Sequence, residues 1–220
     1  CGGTSNDYSA SDSDGITGDS AQVDKSVNTT SETHTTGANV VIGEVVTYDV
    51  KITIPEGSTP NAQLIDTLQT GMAFVKCVGI DVPANVTTDL TGGFSAACPL
   101  VPESPAVNPT VSADARTVTF NLGNITNTNN TAGDEVITLT YQVIVTNIST
   151  NDAGDTLVNF ARFNWTGGTT TDSAETLTIL EPRIDVQKAV AVGGAGGAAG
   201  DPVTYTVTLR HPTPMVSGDI

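Results

Sequence analysis

The chain has 220 residues and a formal charge of -16, from 24 acidic and 8 basic side chains. A field of that sign repels nucleic acid and anionic lipid head groups, which excludes both as partners of the folded surface. Hydrophobic residues make up 38% and aromatics only 5%, so the expected core is built mostly from Val, Ile, Leu and Ala. Abundant Thr, Asn, Gly and Val, with no extended helical pattern, point to an all-β chain of one or two domains. No apolar run approaches the ~20 residues needed to span a bilayer.

Residues 1–21 are mostly Gly, Ser and Asp. Such a segment cannot bury enough surface to order itself and is expected to be a flexible tether. Its Asp12, Asp14 and Asp19 lack the closing Glu of a calcium loop, so linker is the better reading and no metal site is expected. Cys1, followed by Gly2-Gly3 and a polar tract, resembles the start of a mature bacterial lipoprotein, which makes it a lipidation candidate and the one expected link to a membrane. The alternative is an arbitrary start with a free or intermolecular thiol.

Strand signals begin at Val23. Over 46–54, Val46, Tyr48, Val50, Ile52 and Ile54 alternate with polar residues, the period of a half-buried antiparallel strand. Pro55-Glu56-Gly57-Ser58 ends it with turn chemistry. Short strands are expected over 64–68 and 72–78, then a Pro-, Gly- and Ala-rich loop from Pro83 to Pro109. A strand over 117–122 follows, with Val118, Phe120 and Leu122 inward, and a polar turn region over 124–134. Ile137, Leu139, Tyr141, Val143 and Val145 form the longest inward stripe. After a turn at 152–155, residues 157–165 are expected as one strand and 176–180 as the last of the domain. Short strands divided by turns predict a β-sandwich.

Three polar residues interrupt the inward stripes. Lys25 lies between Val23 and Val27, Asp66 between Leu64 and Leu68, and Asn159 between Leu157 and Ala161. Residues two apart on a strand share a face, so these three side chains point toward the core. A buried charge is costly unless paired or neutralised. A lysine, an aspartate and an asparagine together inside a β-sandwich point to a covalent side-chain cross-link, and so to a mechanical building block. The alternative is a Lys25 facing solvent on an edge strand, an Asp66 that caps a turn and an Asn159 that satisfies buried backbone.

Of three cysteines, Cys77 and Cys98 flank one loop of the same domain. In an oxidising compartment they pair, and closing such a loop contributes on the order of 3 kcal/mol. Asn-x-Ser/Thr sequons occur at Asn28, Asn85, Asn124, Asn129, Asn147 and Asn164. They are glycosylation candidates in a glycosylating host, and arise readily by chance in a Thr- and Asn-rich chain. The two histidines, His34 and His211, have neither metal-ligand nor triad spacing. No cofactor is expected, and no enzyme activity.

An internal match links two regions. Residues 43–52, GEVVTYDVKI, align with 200–209, GDPVTYTVTL, and 23–27, VDKSV, align with 186–190, VQKAV. A second copy therefore opens near Ile184 with Lys188 in the place of Lys25, and only its first two strands are present. Two strands cannot bury their own apolar face. The expectation is truncation from a longer tandem array, the alternative being completion by a neighbouring molecule. The domains are thus a tether (1–21), a full sandwich (22–181) and the first two strands of a second repeat (184–220).

A lysine in the first strand, then Gly43 to Pro55, then Ile65-Asp66-Thr67-Leu68 and Gly71-Met72-Ala73-Phe74, closing on Val158-Asn159-Phe160-Ala161, resembles the isopeptide-forming domains of bacterial fimbrial proteins and surface adhesins. It also resembles related tandem repeats of large bacterial and archaeal cell-surface proteins. The resemblance implies an immunoglobulin-like antiparallel sandwich serving as a stalk, pilus or adhesin arm at the cell surface. It implies Lys25 as the amine, Asn159 as the amide and Asp66 as the catalytic acid. The loop carrying the cysteines departs from that pattern. Expected partners are neighbouring repeats or subunits of the same protein. Two other functions compete. One is a ligand-binding adhesin domain whose Pro83–Pro109 loop holds a host or glycan ligand, and the other is a filament subunit assembled by strand exchange.

Overall fold

The computed structural model describes residues 20–33, 35–99, 108–131, 133–181, 184–192 and 199–210. Cys1, Asp12, Asp14, Asp19, His34 and His211 lie outside the described residues, as does all but the end of the expected tether.

The main body is an antiparallel β-sandwich, as the alternating stripes predict. The first sheet is β1 (Gln22–Thr30), β3 (Val45–Ile54), β9 (Glu135–Val145) and β5 (Met72–Asp81), in that order. The second has the order β12 (Gly168–Ser173), β11 (Asn159–Trp165), β4 (Gly57–Leu68), β8 (Thr117–Asn127) and β6 (Val86–Thr88), with β7 (Thr110–Val111) also paired to β8. A small sheet of β10 (Thr156–Leu157), β13 (Leu177–Leu180) and β2 (Asn39–Val41) closes one side, its β13–β2 pair parallel.

The two large sheets meet on their inward stripes. Val46, Tyr48, Val50, Ile52 and Ile54 of β3 are buried, as are Ile137, Leu139, Tyr141, Val143 and Val145 of β9. The facing sheet contributes Leu64 and Leu68 from β4, Val118, Phe120 and Leu122 from β8, and Ala161 and Phe163 from β11. At about 25 cal/mol per Å² of apolar area, this burial is the main force holding the sheets face to face.

Several boundaries differ from the sequence expectation. The strand at 64–68 is the end of the longer β4, whose start at Gly57 is masked in sequence by Pro60, Asn61 and a register shift near Ala62. The turn region at 124–134 begins only after Asn127, because β8 continues through a polar stretch paired to β4 and β6. The segment 157–165 breaks at Val158, so Leu157 pairs with β13 while Asn159 opens β11 against β4. β12 has no counterpart among the expected strands, since Gly168-Thr-Thr-Thr-Asp-Ser carries no apolar alternation. The first strand and the late strand face one another across the sandwich and are not paired side by side. β1 pairs β3, and β11 pairs β4 and β12.

The outer edge of β1 is closed by carboxylates. Its Lys25 N–H donates to Asp172 Oδ2 at 2.8 Å and its Val27 N–H to Glu175 Oε2 at 3.2 Å. These contacts satisfy edge donors that would otherwise invite another strand. The β4–β5 turn is equally constrained. Gly71 has φ +108°, and a Cβ there would lie 2.1 Å from Asn151 Oδ1. The Asn151 amide nitrogen in turn donates to the carbonyls of Gly71 and Thr146 at 3.0 and 2.8 Å. Gly71→Ala is expected to cost on the order of 2 kcal/mol or more in a denaturant melt, through backbone strain and loss of this clamp.

The hairpin of β14 (Asp185–Val192) and β15 (Val203–Arg210) forms its own two-stranded sheet. Val186, Val190, Val203, Tyr205, Val207 and Leu209 are all exposed on it.

Candidate functional site

Strand register decides where the three interrupting residues meet. Lys25 lies opposite Val50, and Tyr48 opposite Tyr141, all in the first sheet. In the second sheet Asp66 lies opposite Ala161 on one side and Val118 on the other, while Asn159 lies opposite Leu68. Asp66 and Asn159 are thus diagonal neighbours on one inward face. Lys25 reaches across from the other sheet. Lys25 is 3% exposed, and Asp66 and Asn159 are both 0% exposed.

The Lys25 amine donates to Asp66 Oδ2 and, at 2.5 Å, to the Tyr141 hydroxyl. The Tyr141 hydroxyl donates to the same Asp66 oxygen. The Asn159 amide nitrogen donates to Tyr141 Oη at 3.4 Å. The amine also sits over the rings of Tyr48 and Tyr141, 4.9 and 5.3 Å from their centroids, contacts that favour its charged form against the desolvation of the site. Asp66 Oδ1 and Asn159 Oδ1 have no hydrogen-bond partner. Both are acceptors when the carboxyl is ionised, and a proton on Asp66 Oδ1 turns it into the donor that such a pair of buried oxygens lacks.

Electrostatics run the same way. Burial pulls the Lys25 amine down to about 8, against the opposing pull of the Asp66 carboxylate. Burial holds the Asp66 carboxyl above the usual carboxylate range, although Lys25 and the bonds from Lys25 and Tyr141 favour its charge. Burial, with the Asp66 charge, keeps the Tyr141 hydroxyl protonated. Both shifts run toward a neutral amine beside a protonated acid, the pair of forms that acyl transfer to an amine needs.

In the sequence Tyr48 and Tyr141 stand out only as members of apolar stripes. The available signal was their hydroxyls: a tyrosine in a fully inward position needs a polar partner for its O–H.

The other candidates fall elsewhere. Cys77 and Cys98 form a disulfide, Cα–Cα 5.5 Å, tying β5 to the short 3-10 turn at Gly93–Ala96. That turn, with β6, gives structure to the loop expected over 83–109. Asn28, Asn85, Asn124 and Asn147 are exposed, and Asn129 and Asn164 partly so. The side-chain nitrogens that a glycan would occupy are engaged with Asp49 in Asn28, Asp89 in Asn124 and Glu135 in Asn129. Lys188 lies opposite Val207, with Val186 opposite Leu209 and Val190 opposite Tyr205. The same pattern holds in β1–β3, where Val23, Lys25 and Val27 oppose Ile52, Val50 and Tyr48. The Lys188 amine stands 4.5 Å from the Tyr205 ring centroid. Lys188 is thus apart from the Lys25 cluster, on an exposed copy of the same register. No group of three or more potential metal ligands occurs among the described residues. No helix there is long and apolar enough to cross a membrane.

No family model matches the chain, and no curated protein matches it. Among solved structures it is similar to BcpA, the major pilin subunit of Bacillus cereus, at 13% identity and TM-score 0.44, over 88% of this chain and 56% of that one. It is similar to the 35 kDa C-terminal fragment of the major pilin GBS80 of Streptococcus agalactiae, at 10% identity and TM-score 0.43, over 76% and 58%. It is similar to the pilus backbone RrgB of Streptococcus pneumoniae, at 17% identity and TM-score 0.39, over 67% and 31%. The chain thus spans between about a third and three-fifths of the length of these pilus proteins.

Proposed function

We propose that this chain is an extracellular structural module, a stalk, pilus or adhesin arm, braced by an amide bond between Lys25 and Asn159. One observation carries the reading: an amine, a carboxyl and a carboxamide converge in the core, none of them more than 3% exposed. Three apolar residues would fill the space at lower desolvation cost.

The chemistry balances without an outside reagent. The Lys25 amine passes its acidic proton to Asp66, leaving a neutral nucleophile and a neutral acid. The amine nitrogen attacks Asn159 Cγ, and Asp66 donates a hydrogen bond to the amide oxygen as it gains charge. The C–Nδ2 bond breaks, and Nδ2 departs as ammonia with the proton that the amine sheds. An amine and a carboxamide become one secondary amide and one ammonia. The reaction runs once per chain, so the module is not a turnover enzyme. Tension along the chain then crosses a covalent bond between the two sheets rather than a hydrogen-bond ladder.

The disulfide fits an oxidising exterior, and the acidic surface fits a solvated one. The shared register of β14–β15 and β1–β3 supports residues 184–220 as the opening strands of a second module of the same make. Neighbouring modules or subunits are the partners this reading calls for.

Intact mass after reduction and denaturation tests it. The wild-type chain is expected to be lighter than its sequence mass by one ammonia, and Lys25→Ala, Asp66→Ala and Asn159→Ala chains to carry their full sequence mass. A wild-type chain at full sequence mass would refute the cross-link.

A further inference from the structure

Resting on that reading, we infer that Tyr141 is a catalytic residue of the cross-linking step: its hydroxyl carries the proton shed by the attacking Lys25 amine to the departing Asn159 nitrogen. Tyr141 is the one side chain among the described residues with hydrogen bonds to Lys25, Asp66 and Asn159 alike. Its oxygen touches both reacting nitrogens, Nζ at 2.5 Å and Nδ2 at 3.4 Å.

A phenol has one proton to give and two lone pairs to receive with. Here all three positions are engaged. The proton goes to Asp66 Oδ2, and the two lone pairs face the nucleophile and the leaving group. Because Asp66 Oδ2 already receives from Tyr141 and Lys25, the acid's own proton belongs on Oδ1, the oxygen without a partner. Asp66 is then free to remain a donor to the amide oxygen throughout. Once Cγ is tetrahedral, Nδ2 is an amine with a lone pair; the Tyr141 hydroxyl turns its proton from Asp66 Oδ2 to that lone pair as Oη takes the proton from Nζ. The hydroxyl ends the step as it began, and Nδ2 leaves as ammonia.

The ring is fixed for this task. Tyr141 packs against Tyr48, Phe120 and Phe74, with centroids 5.9, 5.8 and 6.2 Å away. Four strands hold those rings, so Oη cannot swing out of reach of the two nitrogens.

The test follows ammonia loss in time. The full chain is made by pulsed cell-free synthesis, quenched in acid denaturant at intervals, and weighed intact. Tyr141→Phe, which keeps the ring, is expected to cross-link on the order of 100-fold more slowly than wild type. A chain with 3,5-difluorotyrosine at position 141 keeps the hydroxyl and its bonds but is more acidic. Its rate is expected to differ several-fold from wild type, which a purely structural hydroxyl would not produce. A Tyr141→Phe chain that reacts at the wild-type rate, or a fluorinated chain indistinguishable from wild type, overturns the role of Tyr141 and leaves the cross-link standing. If Tyr141→Phe does not fold, the fluorinated chain decides alone. A wild-type chain that never loses ammonia overturns both.

Discussion

Asn159→Ala is expected to lower the unfolding free energy by on the order of 5 kcal/mol. The proposed bond from residue 25 to residue 159 would enclose most of the sandwich, and a loop of more than ~100 residues restricts the unfolded chain by about that much. The substitution removes the covalent bond and restores Lys25 as a buried amine, so above pH 10.5, where the amine is neutral in both states, the difference reports the covalent term most directly. Asn159→Ala leaves the Lys25–Asp66 pair in place and removes a carboxamide whose Oδ1 bonds to nothing and whose Nδ2 makes only a 3.4 Å contact. Loss of the side chain by itself is a change of about 1 kcal/mol, the centre of ordinary point substitutions. The single tryptophan, Trp165, stacks on Phe163 at the end of β11 with centroids 5.5 Å apart, and its fluorescence follows the melt. The denaturant slope is diagnostic too. A cross-linked unfolded chain exposes less surface, so the wild type should show the smaller m-value. A loss near 1 kcal/mol with an unchanged slope would mean that no covalent bond joins the sheets.

The same variant is expected to acquire a pH dependence that the wild type lacks. In Asn159→Ala the lysine stays an amine, and burial holds it at about 8 in the folded state against 10.5 in the unfolded chain. The folded state then binds that proton less tightly. Below pH 8 both states are protonated and folding carries the full penalty, on the order of 3 kcal/mol. As pH rises from 8 to 10.5 the unfolded state holds more proton than the folded one, so stability increases and then levels off. Asp66 acts in the opposite sense at the acid end. Its folded carboxyl titrates above the unfolded value of 3.8, so its protonated form stabilises at low pH and that contribution fades as pH rises through the folded value. With the proposed cross-link formed, the wild-type Lys25 nitrogen would be an amide and would not titrate. Melts between pH 7 and pH 11 should therefore separate the two chains, the variant gaining stability and the wild type remaining flat over the Lys25 window. A rise of equal size in both would mean that Lys25 is a free amine in the wild type.

Period-2 alternation made the inward faces of β3 and β9 legible, and with them the two-sheet core. It also exposed Lys25, Asp66 and Asn159 as polar residues on apolar stripes. Each of these is local information, carried by neighbours two positions away. β12 and the first half of β4 were not legible, because their residues are polar on both faces and owe their strand geometry to the partners that hydrogen-bond them. The break at Val158 belongs to the same class. Nothing local separates Leu157 from Asn159, yet one pairs with β13 and the other with β4. Tyr141 was legible as core and not as chemistry, since its place among three polar groups depends on strands far apart in the chain.

By itself the sequence determined a sandwich, its inward faces, the cysteine pair and three misplaced polar residues, because alternation fixes which way each side chain points. Only the tertiary structure decided that the three converge, that they do so across facing sheets, and that one tyrosine hydroxyl joins them. Direction is a property of a single strand. Distance between side chains from β1, β4, β9 and β11 depends on how the sheets order and stack, which no one strand encodes.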